Sequence, residues 1–127
     1  MASVCLAGSA TSGTNVNVFA NGGRVFFTRD VAAITMDLDD VESIVARTLG
    51  GTDNLIVNDL SGTDVVDVKG DLAQAGGGDD AAADNVIVNA TNGDDIATIA
   101  GTGPDAQVTG LAARTSVSGA IAGSDRL

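Results

Sequence analysis

The amino-acid sequence predicts an all-β protein, folded as a right-handed parallel β-helix, or β-solenoid, of a few stacked coils. Three observations favour this fold class: a repeated phrase, short β-branched runs, and a composition rich in turn residues. Residues 53–64, DNLIVNDLSGTD, return slightly changed at 84–95 as DNVIVNATNGDD. A fixed period of this kind is typical of repeat architectures, because one coil cannot bury its apolar face without a similar neighbour.

Short apolar runs bounded by Gly, Asp and Asn form the second observation, and this is the pattern of β-strands. Beside the repeated phrase, such runs occur at 15–23, 24–30, 33–40, 106–111 and 115–120. One stretch is ambiguous, because the apolar residues of 38–49 also fall at near-helical spacing. We favour strand–turn–strand there, with a short helix as the alternative.

Composition is the third observation. The chain has 17 Gly and 17 acidic residues, and all the acidic residues except Glu42 are Asp. Asp and Gly favour turns, whereas Glu favours helices. The apolar residues are mainly Val, Ile, Leu and Ala, with three Phe and neither Trp nor Tyr. Small branched side chains suit a thin, regular interior better than the aromatic-rich core of a sandwich.

At 127 residues the chain is expected to form one domain. We assign residues 15–127 to the solenoid and expect the preceding segment, residues 1–14, to be frayed. The net charge of −11 argues against nucleic acid or an anionic membrane as a partner. No apolar run approaches the roughly 18 residues of a membrane-spanning helix, so no membrane insertion is expected. Cys5 is the only cysteine, which excludes an internal disulfide.

The residue inventory predicts that the protein is not an enzyme. Without histidine, the chain cannot form a Ser–His–Asp or Cys–His pair or an ordinary zinc site. A remote alternative is a carbohydrate-active β-helix protein using paired carboxylates, for which Asp37, Asp39 and Asp40 are the candidates. The absence of Trp and Tyr argues against it, because no ring is available to stack on a sugar.

The segments 21–68 and 76–101 resemble the bacterial haemolysin-type (RTX-like) calcium-binding repeat proteins, in particular their long, degenerate, solenoid-forming members. The likeness extends over about residues 15–127 as a general pattern of short apolar runs separated by Asp and Gly. The family nonapeptide is G-G-x-G-x-D-x-U-x, where U is a large apolar residue. Parts of it occur at Gly50, Gly51 and Asp53, at Gly62 and Asp64, at Gly76 to Asp80, and at Gly93 to Asp95. No two intact nonapeptides stand in tandem.

The resemblance implies calcium binding at Asp/Gly loops, a location outside the cell or on its surface, and a chain that is a fragment of a longer solenoid. Calcium prefers about six to eight oxygen ligands, which carboxylates and turn carbonyls supply. The candidate ligands are Asp53, Asp64, Asp79, Asp80, Asp84, Asp94 and Asp95. Of these, Asp79, Asp80 and Asp84 with Asp94 and Asp95 are the strongest group. The alternative is that each Asp only caps its own turn.

Two functions follow from the predicted fold. The first is a non-enzymatic structural and binding module of a secreted or surface protein. The alternative is self-assembly, because an uncapped solenoid leaves unpaired strand edges at both ends. The recurrence of Asn54 and Asn58 as Asn85 and Asn89 predicts ladders of stacked side-chain amides, a structural role rather than a ligand site.

Overall fold

A computed structural model describes residues 3–7, 13–30, 34–47, 50–72, 83–91, 95–102, 105–111, 113–119, 125 and 127. All the regular elements among these residues are β-strands, so the all-β prediction is confirmed. Among them no helix is long and apolar enough to cross a membrane.

The strands are short, as expected from runs interrupted by Asp, Asn and Gly. In chain order they are β1 (Ser3–Ala7), β2 (Asn15–Asn21), β3 (Arg24–Arg29), β4 (Ile34–Leu38), β5 (Ser43–Arg47), β6 (Asn54–Val57), β7 (Asp67–Asp71), β8 (Asn85–Val88), β9 (Thr98–Thr102), β10 (Asp105–Thr109) and β11 (Arg114–Ser118). The described part of the ambiguous stretch, 38–47, is strand–turn–strand, because β4 ends at Leu38 and β5 spans Ser43–Arg47; residues 48 and 49 lie outside the described residues.

Two mixed sheets contain these strands. Sheet A has the order β1-β5-β7-β11-β10-β9, and sheet B has the order β4-β3-β2-β6-β8. From β4 to β9 the chain passes from one sheet to the other at every connection, and each of the strands β5 to β8 lies parallel to an earlier strand of its sheet. These parallel pairs are β1 with β5, β5 with β7, β7 with β11, β2 with β6, and β6 with β8. Antiparallel additions, β3–β4 and β9–β10, extend sheet B at one end and sheet A at the other.

The repeated phrase lies side by side in sheet B. Strands β6 and β8 pair in parallel, with Asn54 opposite Asn85 and Val57 opposite Val88. Because side chains alternate between the faces of a strand, a slip of one residue would turn every aliphatic side chain to the wrong face. The identical spacing of the two copies therefore fixes the register.

The core lies between the inner faces of the two sheets and is almost entirely aliphatic. Its completely buried members include Val18, Ile44, Leu55 and Val68, and Phe27 is the one aromatic ring among the buried residues that the structure describes. Gly70 of β7 allows the sheets to approach closely here. A Cβ at this position would lie 2.9 Å from Cδ2 of Leu55 and 3.8 Å from Cγ2 of Val86. Strand β7 therefore packs against both β6 and β8.

Part of the segment 1–14 is ordered. Residues Ser3–Ala7 form β1, which pairs in parallel with the whole of β5. Backbone hydrogen bonds to β5 hold this strand, and the partly buried side chain of Val4 packs against the core. The division of the chain at residue 15 stays a prediction.

Candidate functional site

A ladder of aspartates stands at the corner where the chain enters each parallel strand of sheet B. Asp53 Oδ1 accepts the backbone N–H of Thr14 at 2.6 Å, and Asp84 Oδ1 accepts that of Asp53 at 2.9 Å. Asp125 Oδ1 in turn accepts the N–H of Asp84 at 2.9 Å. We call Asp53, Asp84 and Asp125 the aspartate ladder. Each carboxylate satisfies a donor in the preceding coil, so the ladder links successive layers.

Burial makes these bonds energetically important. Asp53 is 0% exposed and Asp84 is 1% exposed. A buried carboxylate is costly unless it is hydrogen-bonded, and bonds from N–H groups to a carboxylate are stronger than neutral ones. The same corner is reinforced by backbone bonds of 2.9 Å, from Asn54 N–H to Thr14 O and from Asn85 N–H to Asp53 O. Asp53 and Asp84 are therefore structural elements of the corner.

Two ladders of side-chain amides flank the same strands. In the first, Asn54 Nδ2 donates to Asn15 Oδ1 at 2.8 Å, and Asn85 Nδ2 donates to Asn54 Oδ1 at 3.0 Å. In the second, Asn89 Nδ2 donates to Asn58 Oδ1 at 3.0 Å. The predicted stacking of amides is confirmed, and it extends to Asn15, which the repeated phrase does not include.

In contrast to the buried aspartate ladder, three exposed carboxylates lie close together on the surface. We call Asp39, Asp40 and Asp64 the acidic turn cluster. One oxygen atom from each lies within 4.8 Å of the others. Asp39 and Asp40 follow β4, whereas Asp64 belongs to the connection between β6 and β7. Asp40 has a φ of 54°, a left-handed conformation that Asp tolerates better than most residues.

Charge repulsion dominates the electrostatics of this acidic turn cluster. The pKa of Asp40 is raised, first by the negative charge of Asp39 and then by that of Asp64. Arg24 offsets part of this charge through contacts with Asp39 Oδ2 at 2.9 Å and Asp37 Oδ1 at 2.7 Å. Its hydrogen bond with Asp37 raises the pKa of Arg24. A hard cation would relieve the remaining repulsion, since carboxylate oxygens are the ligands that calcium prefers.

The seven predicted calcium ligands fall into different environments. Asp53 and Asp84 lie in the buried aspartate ladder, and Asp64 lies in the exposed acidic turn cluster. Asp95 is exposed and accepts a hydrogen bond of 2.7 Å from Thr91 Oγ1. Asp79, Asp80 and Asp94 lie outside the described residues. The proposed grouping of these three with Asp84 and Asp95 therefore stays a prediction.

The sequence did not indicate the partners of Asp64. Asp39 and Asp40 were recognisable as an acidic turn, but nothing in their spacing brings them to a residue twenty-four positions away. Asp125 was also missed, because it stands outside the repeated phrase. The signal for the buried ladder was present in Asp53 and Asp84, which directly precede the apolar run in both copies.

An open groove of about 500 Å³ crosses the outer face of sheet A. Its carboxylates are Asp67 and Asp105, and Asp67 Oδ1 lies 3.2 Å from Nε of Arg114. The lining includes no aromatic residue. This groove therefore adds no support to the carbohydrate-active alternative.

The fold and these residues define an all-β protein of two mixed sheets, with buried aspartates bonded between neighbouring coils and an acidic cluster on its surface. Comparison with family models, with curated proteins and with solved structures found no match.

Proposed function

We propose that this chain is a non-enzymatic structural and binding module, a segment of a right-handed parallel β-solenoid from a secreted or surface protein. The observation that carries the proposal is the parallel, in-register pairing of Asn54–Val57 with Asn85–Val88. Two copies of one phrase side by side are what a solenoid requires, because each coil must repeat the corners of the coil beneath it.

The polar ladders support the same function. A repeat protein contacts mainly its nearest neighbours, so its stiffness depends on the bonds between adjacent coils. Here the aspartate ladder and the two amide ladders supply such bonds in addition to the backbone pairing. The outer surface carries the acidic charge, which keeps such a module soluble and makes cations its natural small partners.

Hydrogen exchange of the full chain tests the stacking. Residues 53–58 and 84–89 are expected to show similar protection, and Asp84→Ala should increase exchange at the Asp53 amide in the neighbouring coil. Asp95→Ala, at an exposed carboxylate, is the control and should leave that amide unchanged. Independent exchange of the two segments in the wild-type chain would contradict the proposal. A crystal structure would test the handedness, and a left-handed crossover would overturn that part.

Calcium binding is a second candidate, favoured by the convergence of Asp39, Asp40 and Asp64. Three carboxylates provide part of the oxygen set, and turn carbonyls or water would complete it. Thermal melts with calcium and with chelator should differ for the wild type and coincide for Asp64→Asn. Asp105→Asn, at an exposed carboxylate outside the candidate ligands, is the matched control and should keep the difference. Coincident wild-type curves would remove calcium from the proposal.

Self-assembly remains the alternative without metal. Among the described strands, the outermost are β1 and β9 in sheet A and β4 and β8 in sheet B. Edge strands without a partner offer backbone hydrogen bonds to another chain. Light scattering over a range of concentrations tests this function: growth in size supports it, and a constant monomer contradicts it.

A further inference from the structure

The second copy of the repeated phrase contains a motif that the first copy lacks. After its apolar run the second copy reads Asn-Ala-Thr at 89–91, whereas the first copy reads Asn-Asp-Leu at 58–60. Asn-x-Thr, with any residue except Pro in the middle, is the acceptor pattern for transfer of a sugar to the Asn side chain. Of the eight Asn residues in the sequence, only Asn89 has Ser or Thr two positions later. The motif is therefore unique in this chain.

The acceptor motif lies directly after β8, at an exposed point of the fold. Strand β8 ends at Val88, and the next two residues, Asn89 and Ala90, are both exposed. Successive side chains of an extended chain point to opposite faces, so Asn89 lies on the same face as Ile87. Ile87 is 44% exposed, whereas Val86 on the other face belongs to the core. A sugar on Asn89 would therefore extend from the outer face of sheet B.

The hydrogen bond that Asn89 makes in its amide ladder is compatible with an attached sugar. A primary amide has two N–H bonds. Asn89 Nδ2 donates one of them to Asn58 Oδ1 at 3.0 Å. If an N–C bond to a sugar replaces the other N–H bond, one N–H remains for this hydrogen bond and Oδ1 is unchanged. The glycosylated side chain therefore keeps its place in the ladder.

The hydroxyl of Thr91 is not a requirement of the repeat. The equivalent residue of the first copy, Leu60, is 2% exposed and belongs to the core. Thr91 is only partly buried, and its Oγ1 donates to the exposed Asp95 Oδ1 at 2.7 Å. Stacking of coils thus favours an apolar side chain at this position. The repeat by itself does not account for the hydroxyl, which is the group that makes Asn89 an acceptor.

We propose that Asn89 is a site of N-linked glycosylation. This inference rests on the proposed location outside the cell or on its surface, where such acceptors are found. The co-substrate is an activated sugar diphosphate, carried by a lipid or by a nucleotide. The bond between the anomeric carbon and the diphosphate oxygen breaks, and the diphosphate leaves with the electron pair. A bond between that carbon and Asn89 Nδ2 forms, and the displaced Nδ2 proton passes to a base of the transferase.

Translation of the full chain, behind a cleavable export leader, into microsomes that hold lipid-linked oligosaccharide tests the first source of sugar. Transfer there acts on the chain before it folds, so packing in the folded protein does not affect it. Intact mass should show one glycan per chain, and peptide mapping should place it at Asn89. Asn89→Gln and Thr91→Val should lose the glycan completely. Thr91→Ser, which keeps the hydroxyl, and Asp95→Ala, which removes its hydrogen-bond acceptor, should both keep the glycan.

Incubation of the purified, folded chain with a soluble N-glycosyltransferase and a nucleotide-linked glucose tests the second source. Mass spectrometry should show one added hexose, which Asn89→Gln should lose. In the folded chain the Thr91 hydroxyl is bonded to Asp95. Asp95→Ala should therefore increase the rate of transfer about threefold, because recognition of the hydroxyl no longer breaks that hydrogen bond.

A capped Asn-Ala-Thr peptide that accepts the sugar shows that the transferase in each arm is active. A wild-type chain left unmodified in both arms, or a glycan that Thr91→Val retains, would overturn the glycosylation site. Modification in one arm alone assigns the sugar to that donor. The glycosylated chain should keep the hydrogen-exchange protection of residues 84–89, and its loss would show that sheet B does not accommodate the sugar. The exchange test of stacking uses the unmodified chain, so the two proposals fail separately.

Discussion

The carboxylate of Asp84 accepts the backbone N–H of Asp53 across 2.9 Å, although the two residues are 31 positions apart. Both belong to the same place in the repeated phrase, immediately before its apolar run. The repeat therefore encodes contact between coils: the second copy supplies the acceptor for the N–H at the corner of the first copy, and the first copy does the same for Thr14 of the coil before it. An acidic residue that suggests a surface calcium ligand in the sequence becomes a buried structural group in the fold.

Replacing Asp84 with Ala should lower the free energy of unfolding by about 2 kcal/mol, because the N–H of Asp53 loses a charged acceptor in a buried corner. Asp84→Asn retains an acceptor oxygen and should cost about half as much. Urea denaturation measures both variants. Asp95→Ala should change stability by less than about 0.5 kcal/mol, and equal losses at positions 84 and 95 would contradict the role of the ladder.

The amide ladder makes a separate prediction at Asn58. Its Nδ2 donates to Val18 O at 3.1 Å, and its Oδ1 accepts from Asn89. Asn58→Ala should therefore cost about 1–2 kcal/mol, as both hydrogen bonds are lost. Asn17→Ala, in the neighbouring strand but outside both ladders, should cost less than about 0.5 kcal/mol. Chemical denaturation distinguishes the two, and similar losses would show that stacking of the amides contributes little.

Replacing one buried polar residue of the core should raise the stability of the protein. Thr115 is 1% exposed, and within the described residues its Oγ1 has no hydrogen-bond partner. Thr115→Val replaces this hydroxyl with a methyl group of similar size and should stabilise the protein by about 1 kcal/mol. Thr115→Ser keeps the hydroxyl and removes the methyl, so it should destabilise by a similar amount. A lower midpoint of unfolding for the Val variant would indicate a bond that the hydroxyl makes.

Neutralising Asp40 should stabilise the protein at neutral pH. Since repulsion from Asp39 raises the pKa of Asp40 above its ordinary value of 3.8, its ionised form disfavours the folded state. This penalty is absent below about pH 3 and grows as pH rises through the folded pKa. Asp40→Asn should therefore raise the melting temperature at pH 7 and leave it unchanged near pH 3. Asn also tolerates the positive φ of this position.

Asp59 is the control for this prediction, because its pKa is shifted in the opposite direction from that of Asp40. Hydrogen bonds from the hydroxyl and backbone N–H of Ser61 lower the pKa of Asp59, so its ionised form favours folding. Asp59→Asn should lower the melting temperature at pH 7, with the difference lost as pH falls through the folded pKa. If both variants moved the melting temperature in the same direction at pH 7, local charge interactions would not explain the effect.

The sequence by itself determined the class of fold and one register. Turn residues and β-branched runs predicted an all-β chain, because these preferences are local. The recurrence of Asp53 to Asn58 as Asp84 to Asn89 predicted neighbouring strands with stacked amides, since equal spacing aligns equal side chains. The strand–turn–strand prediction at 38–49 also rests on a local signal, because Asp39 and Asp40 are turn residues that interrupt the near-helical spacing of the apolar residues.

The tertiary structure alone decided which acidic groups are buried and which converge. Asp53 and Asp64 occupy similar places relative to Gly in the sequence, yet one lies in a sealed corner and the other joins Asp39 and Asp40 on the surface. The sequence also did not indicate that the two sheets differ in extent. Strands β3 and β4 extend one end of sheet B, whereas β10 and β9 extend the opposite end of sheet A. Burial and convergence depend on contacts between residues distant in the chain, which local preference and periodicity do not specify.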